Sequence, residues 1–288
     1  MNDPVVRIPV GEWADAFISW LTSTFSWLFQ LVKTVLEGAY DFLANALGAP
    51  PFYVVAVILV AIAFLARGWK LAAGSAVGLF VIYGMGLWSS AMDTLALVLL
   101  ASFIALAIGI PLGIWAARNA TVSRILRPVM DFLQTLPAFV YLIPTVIIFL
   151  TGAVPGIVAT VIFAIAPGVR FTELGIRQVD SEVVEAGEAF GSSRGRILRQ
   201  IQIPLAMPTI MAGVNQVIML ALSMVVVAGL VGAGGLGNDV VSALQRVRIG
   251  PGFEAGLAVV ILAIFLDRVT AGLGERSPVA RAAKASRA

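Results

Sequence analysis

EAGEAFGSSRGRILRQIQIP, residues 185–204, stands between two long apolar runs. The stretch holds two acids, three arginines and three glycines, in a chain that is 60% hydrophobic and only 12% charged. An ordinary soluble domain is about 25% charged. So polar a segment beside long uncharged runs marks a place where the chain leaves an apolar medium and enters it again. Working outward from it, the 288 residues read as a polytopic, all-α membrane protein.

The composition excludes several classes. The net charge of +3 and the pI of about 9.6 do not mark a nucleic-acid binder, because the basic residues are spread through loops between apolar runs. With neither cysteine nor histidine, the chain has no disulfide and lacks the commonest ligands of zinc, copper and haem. The start, MNDPVVRIPVGEW, has no basic region followed by an apolar core, so no signal peptide is expected.

Residues 11–47 carry Asp15, Ser19, Thr22, Ser26, Gln30, Lys33, Glu37 and Asp41 at spacings of three or four, one polar stripe along an otherwise apolar helix. The stripe favours a helix lying in the membrane interface. Because residues 16–32 are uncharged, a true span is the alternative. Gly48, Pro50 and Pro51 end this segment. Seven spans are then expected, at about 52–66, 71–88, 95–117, 132–150, 153–169, 206–231 and 255–273. Residues 132–169 hold no charge, too long a run for one span, and Gly152, Pro155 and Gly156 mark the turn within it. The last span is the weakest, with only 12 residues between Glu254 and Asp267.

Sidedness follows from the cations. If loops 67–70, 118–131 and 170–203 and the tail from 267 share one side, that side holds fifteen of the nineteen Lys and Arg, while the acids divide eight and eight. The positive-inside rule places the fifteen in the cytoplasm. The C-terminus is then cytoplasmic and the N-terminus outside. The opening stretch falls in the largest cytoplasmic loop. Asp180 or Ser181 can cap a first helix, Gly191 can end it in the left-handed conformation, and Ser192 or Ser193 can cap a second bearing Arg194, Arg196 and Arg199. Pro204 is expected to close that second helix. A plain solvated connection is the simpler reading from composition alone.

Spacing argues for more. Glu185, Ala186, Gly187, Gly191, Ile201, Ile203 and Pro204 resemble the cytoplasmic signature of ABC-importer permeases: Glu-Ala-Ala, three residues, Gly, nine residues, Ile, one residue, Leu-Pro. Gly187 replaces an alanine and Ile203 a leucine. More widely, DFLQTLPAFVYLIP (131–144), the stretch 201–237 and VVILAIFLDRVT (259–270) resemble the glycine betaine/proline, or quaternary-amine, subfamily. The resemblance covers roughly residues 95–273 and is looser over the first 90.

What it implies is a five-helix permease core at 91–275, preceded by an N-terminal amphipathic segment (1–50) and two extra spans (51–90), and followed by a basic tail (276–288). It further implies a bacterial inner-membrane pore subunit paired with a second permease copy, a cytoplasmic ABC ATPase and an extracytoplasmic substrate-binding protein. The coupling helix would dock on the ATPase, and the chain itself would be no enzyme and hold no cofactor. Glycine betaine, proline betaine, choline and carnitine are the implied substrate class. Secondary transport and a non-transporting scaffold are the rivals, but no buried acid or inverted repeat favours the first.

Polar groups inside spans are costly unless they face a partner or a cavity. Candidates for the pathway are Gln134, Thr135, Phe139, Tyr141, Asn215, Gln216 and Ser223; interhelical bonding or packing is the simpler role of each. Phe139 and Tyr141 would offer aromatic faces to a quaternary ammonium. Gly232, Gly234 and Gly237 satisfy GxGxxG, but they close a membrane span and do not follow a strand, so a turn or close helix approach is expected there.

Overall fold

The computed structural model describes residues 9–275, and the basic tail 276–288 lies outside them. Among the described residues every regular element is helical. Four helices are long and apolar enough to cross a membrane: α5 (Trp88–Arg118), α8 (Ala153–Arg177), the continuous run Arg194–Gly229 that ends in α11 (Ile203–Gly229), and α13 (Ile249–Glu275). α13 runs unbroken through Asp267.

The expected seven spans are corrected to four, or six if each of two bent pairs counts as one. α3 (Phe52–Arg67) and α4 (Trp69–Gly84) have 16 residues each, short of the ~20 a bilayer core asks for. They pack on each other as a hairpin and on α13. The N-terminal segment is two helices, α1 (Val10–Thr24) and α2 (Ser26–Gly48), interrupted at Phe25. α2 meets α3 at 100°. Its Phe29 ring stacks edge-on against Phe149 at 5.9 Å, and Leu36, Tyr40 and Leu43 rest on the main core. α2 thus packs on α5, α7 and α8 before the chain turns into α3. α1 leaves Trp13, Phe17 and Trp20 more than half exposed.

The expected span 132–150 is also corrected. α6 (Ala120–Thr135) stops and the chain turns by 107° into a 3-10 turn (Ala138–Tyr141) and the short α7 (Leu142–Phe149). Pro137 is the cause, because its ring drives the preceding Leu136 to extended geometry (φ −69°, ψ 137°). The break needs repair where water is scarce. Tyr141 Oη donates to the Leu133 carbonyl, and Thr145 Oγ1 bonds the Tyr141 and Leu142 carbonyls, each at 3.1 Å.

α5, α8 and α11 form the centre by close backbone approach. A Cβ on Gly113 of α5 would sit 2.6 Å from the Val169 carbonyl oxygen of α8. One on Gly213 of α11 would sit 2.6 Å from Phe171 Cβ. Lipid offers no hydrophobic drive between helices, so such van der Waals fit holds the bundle. At the far end α12 (Gly235–Gln245) folds back on α11, and Leu236 N donates to Thr94 Oγ1 of α5 at 2.8 Å. Here the GxGxxG glycines find their use. Gly232 and Gly234 take φ of +76° and +81° in the turn, and Gly237 lies flush against the Val225 carbonyl.

Gly237→Ala should destabilise the detergent-solubilised protein by about 1–3 kcal/mol through backbone overpacking. Gly74→Ala, where nothing lies within 4 Å, should be neutral or stabilising. Thermal unfolding of both variants checks the pair. Tyr141→Phe should cost about 1–3 kcal/mol by leaving the Leu133 carbonyl unpaired, read in the same assay.

Candidate functional site

The loop expected at 170–203 is shorter than the charge pattern suggested. α8 continues to Arg177, because the charges of its last two turns are paired, Arg170 with Asp131 of α6 and Arg177 with the buried Glu173. Three residues later α9 (Ser181–Ala189) begins, capped by Asp180, whose side chain accepts from Glu182 N at 2.9 Å. It ends as the glycine predicts. Gly191 has φ +73°, its N–H reaches the Glu188 carbonyl at 2.8 Å, and Ser192 N–H reaches the Gly187 carbonyl at 3.1 Å. These two hydrogen bonds close the last turn in a Schellman arrangement.

Glu185 and Ala186 are exposed on α9. Gly187 is half-buried, and a Cβ there would meet Ile201 Cδ1 at 2.8 Å and Ile197 Cγ1 at 3.4 Å. The glycine thus seats α9 closely on the returning helix. Ile203 and Ile201 are half-buried, and Ile203 packs on Ile176, Leu198, Ala206 and Ile210. Just before the glycine break, Phe190, which the sequence places on the apolar side of this helix with Val183, Val184, Ala186 and Gly187, is 90% exposed at the tip of α9. A lone aromatic in a polar helix is a weak sequence signal, and only its exposure makes it notable.

Pro204 does not close the second helix, contrary to expectation. α10 (Arg194–Ile197) passes through a π turn (Leu198–Gln202) straight into α11. In an α-helix the proline ring would strike the carbonyl four residues back. The π turn widens the backbone just before it, with Ile203 N–H bonded to Leu198 O, five residues earlier. Pro204 then falls in the first turn of α11 and the helix continues.

The pathway candidates divide. Tyr141 is buried with its hydroxyl committed to Leu133. Asn215 is tied across helices, Nδ2 donating to Asp267 Oδ1 at 2.8 Å and Oδ1 accepting from Thr270 Oγ1 at 2.7 Å. Both serve the packing. Gln134, Thr135 and Phe139 are exposed around the α6 break, Gln216 and Ser223 along one face of α11. Thr135 and Ser223 return their hydroxyls to carbonyls of their own helices. The 3-10 turn packs on α11, and Tyr141 and Leu142 share a cluster with Met224, so the two exposed groups lie on neighbouring elements.

Comparisons with known proteins agree with this geometry. The chain is 45% identical over 268 residues to the glycine betaine transport system permease OpuAB of Bacillus subtilis (strain 168), covering 93% of this chain and 95% of that one. It is 46% identical over 277 residues to the glycine betaine/carnitine transport permease GbuB of Listeria monocytogenes serotype 1/2a (strain 10403S), covering 95% and 98%. The Escherichia coli (strain K12) glycine betaine/proline betaine permease ProW matches at 44%, over 94% of this chain and 76% of its own. A chain from the inward-facing MetNI methionine ABC transporter superposes with a TM-score of 0.59 at 22% identity, covering 63% of this chain and 91% of that one, a likeness of fold. Residues 109–277, from mid-α5 past the end of α13, match one family profile. The chain belongs to the binding-protein-dependent transport system inner membrane components.

Proposed function

We propose that the chain forms the membrane pathway of an ATP-driven importer of glycine betaine or a related quaternary amine, such as proline betaine, choline or carnitine. The observation that carries the substrate class is the 44–46% identity to three permeases named for glycine betaine. The observation that supports the mechanism is α9, a capped helix presenting Glu185, Ala186 and the bare Phe190 ring. A cytoplasmic ATPase would bind and hydrolyse ATP, and its closure would push α9. The permease itself needs neither catalytic group nor cofactor. Two copies would face each other across the pathway, and an extracytoplasmic receptor would deliver the ligand and favour the outward-facing state by differential contacts.

In this arrangement the C-terminus lies in the cytoplasm and the N-terminus outside the inner membrane. α1 and α2 lie in the outer interface, with the exposed Trp13, Phe17 and Trp20 in lipid. Gln134, Thr135, Phe139, Gln216 and Ser223 line the path, and Phe139 is the aromatic whose face is free for a quaternary ammonium. A zwitterion handed over by a tight receptor needs only weak contacts on the way through.

Vesicles carrying the chain with its ATPase and receptor should show ATP-dependent glycine betaine uptake and receptor-stimulated hydrolysis. Uptake by the chain alone, driven by an ion gradient, would overturn the reading. Within that assay, Phe190→Ala should leave the melting temperature unchanged yet weaken co-purification of the ATPase. Gly191→Ala, forced to a positive φ at a cost of about 1–2 kcal/mol, should lower stimulated hydrolysis. Glu185→Lys should act in the same direction, whereas Gly187→Ala should be tolerated, since only the flexible end of Ile201 must give way.

A further inference from the structure

Between α6 and α8, on the side where α9 emerges, one carboxylate gathers three donors. Glu173 Oε1 accepts from Ser123 Oγ at 2.6 Å and lies 3.1 Å from Arg177 Nη2 and 3.3 Å from Arg127 Nη2. Arg177 Nη2 also donates to the Ala116 carbonyl of α5 at 2.9 Å. Glu173 is 7% exposed, while Arg127 keeps most of its side chain in the open and Arg177 more than a third. The cluster opens on a cavity of about 330 Å³ that Asp131 and Arg170 also line. Three helices are thus tied around one oxygen: the first turns of α6, the last turns of α8 and, through Arg177, the end of α5.

The position matters because of what each helix leads to. α8 ends at Arg177 and delivers the chain to α9 within three residues. α6 leads, at its other end, into the 107° break at Pro137 and the exposed Phe139. What else joins α6 to α8 is mostly apolar. Met130, with Leu126 and Leu133 beside it, packs with Ala166, Val169 and Ile165, in a medium that gives apolar contacts little net drive. The Asp131–Arg170 pair is exposed on both sides and therefore screened. Neither fixes a register. A buried carboxylate with directional donors does, and removing it would leave two arginines facing each other across the same gap.

We propose that Glu173 is a positioning residue that locks α6 to α8, so that displacement of α9 moves both helices as one lever and reaches the broken segment at Pro137. This rests on the reading of α9 as the element an ATPase pushes.

The test uses the reconstituted complex with ATPase and receptor. Glu173→Gln keeps the shape and can still accept from Ser123, but it loses the charge that holds both arginines. Receptor-stimulated hydrolysis should persist while uptake per ATP hydrolysed falls about fivefold or more, the scale of a typical coupling free energy. Arg127→Gln should move the same ratio less, because Arg177 remains, and it serves if Glu173→Gln fails to assemble. Since the chain has no cysteine of its own, it can be spin-labelled at introduced Ile125→Cys and Gln178→Cys before assembly with its partners, to report the α6–α8 separation. In the otherwise unaltered complex that distance should stay constant between nucleotide-free and ATP-bound states, and Glu173→Gln should broaden it. A separation that changes with nucleotide in the unaltered network, or uptake per ATP unchanged in both charge variants, overturns the lever. A complex with neither stimulated hydrolysis nor uptake before any substitution in the network would instead overturn the importer reading, while the label distances would still report on the lock.

Discussion

A backbone surrounded by lipid has no water to satisfy its amides and carbonyls, and this constraint organises the molecule. α5, α8, α11 and α13 meet it by running unbroken for 25 residues or more. Where the chain departs from a continuous helix, each departure is repaired by a group from close by. Tyr141 reaches back to the Leu133 carbonyl across the Pro137 break, and Ile203 bonds five residues back ahead of Pro204. The long unbroken helices can then approach backbone to backbone, as Gly113 and Gly213 allow, and their fit sets the frame from which α9 projects.

The segment around α9 was the most legible part of the sequence because its signals are local. An acid at a helix start and a glycine at its end act within a single turn, so Asp180 and Gly191 take the roles their chemistry suggests. The spans were legible only as apolar runs. Residues 132–150 carry no charge, and hydropathy cannot distinguish a straight helix from one that Pro137 turns through 107°. The end of α8 was misjudged for the opposite reason: charges at 170–177 read as loop, yet on the helix Arg170 pairs with Asp131 of α6 and Arg177 with the buried Glu173. Nothing in one dimension reveals that Glu173 lies against Ser123, fifty residues away.

Among the polar groups placed inside spans, those with partners and those without are now distinct. Asn215 is consumed by Asp267 and Thr270, which fasten α11 to α13, and Tyr141 is consumed by the break it closes. Gln134, Phe139 and Gln216 are left facing outward. A membrane protein seldom exposes a glutamine to lipid, because a bare amide there is costly, so such residues mark the surfaces that water or another protein copy must cover. Polarity alone could not make this division; it depends on which neighbour each side chain meets.

The π turn at Leu198–Gln202 has an evolutionary reading. A wide turn is what a helix forms when it accommodates one inserted residue without breaking. Each residue of an α-helix advances about 100° around its axis, so removing that insertion would press the Pro204 ring on the preceding turn and swing everything before it by more than a quarter turn. Ile197, now against Gly187, would rotate away and α9 would lose its seat. The length of this segment is therefore constrained independently of its side chains: a single-residue deletion changes the direction in which α9 projects.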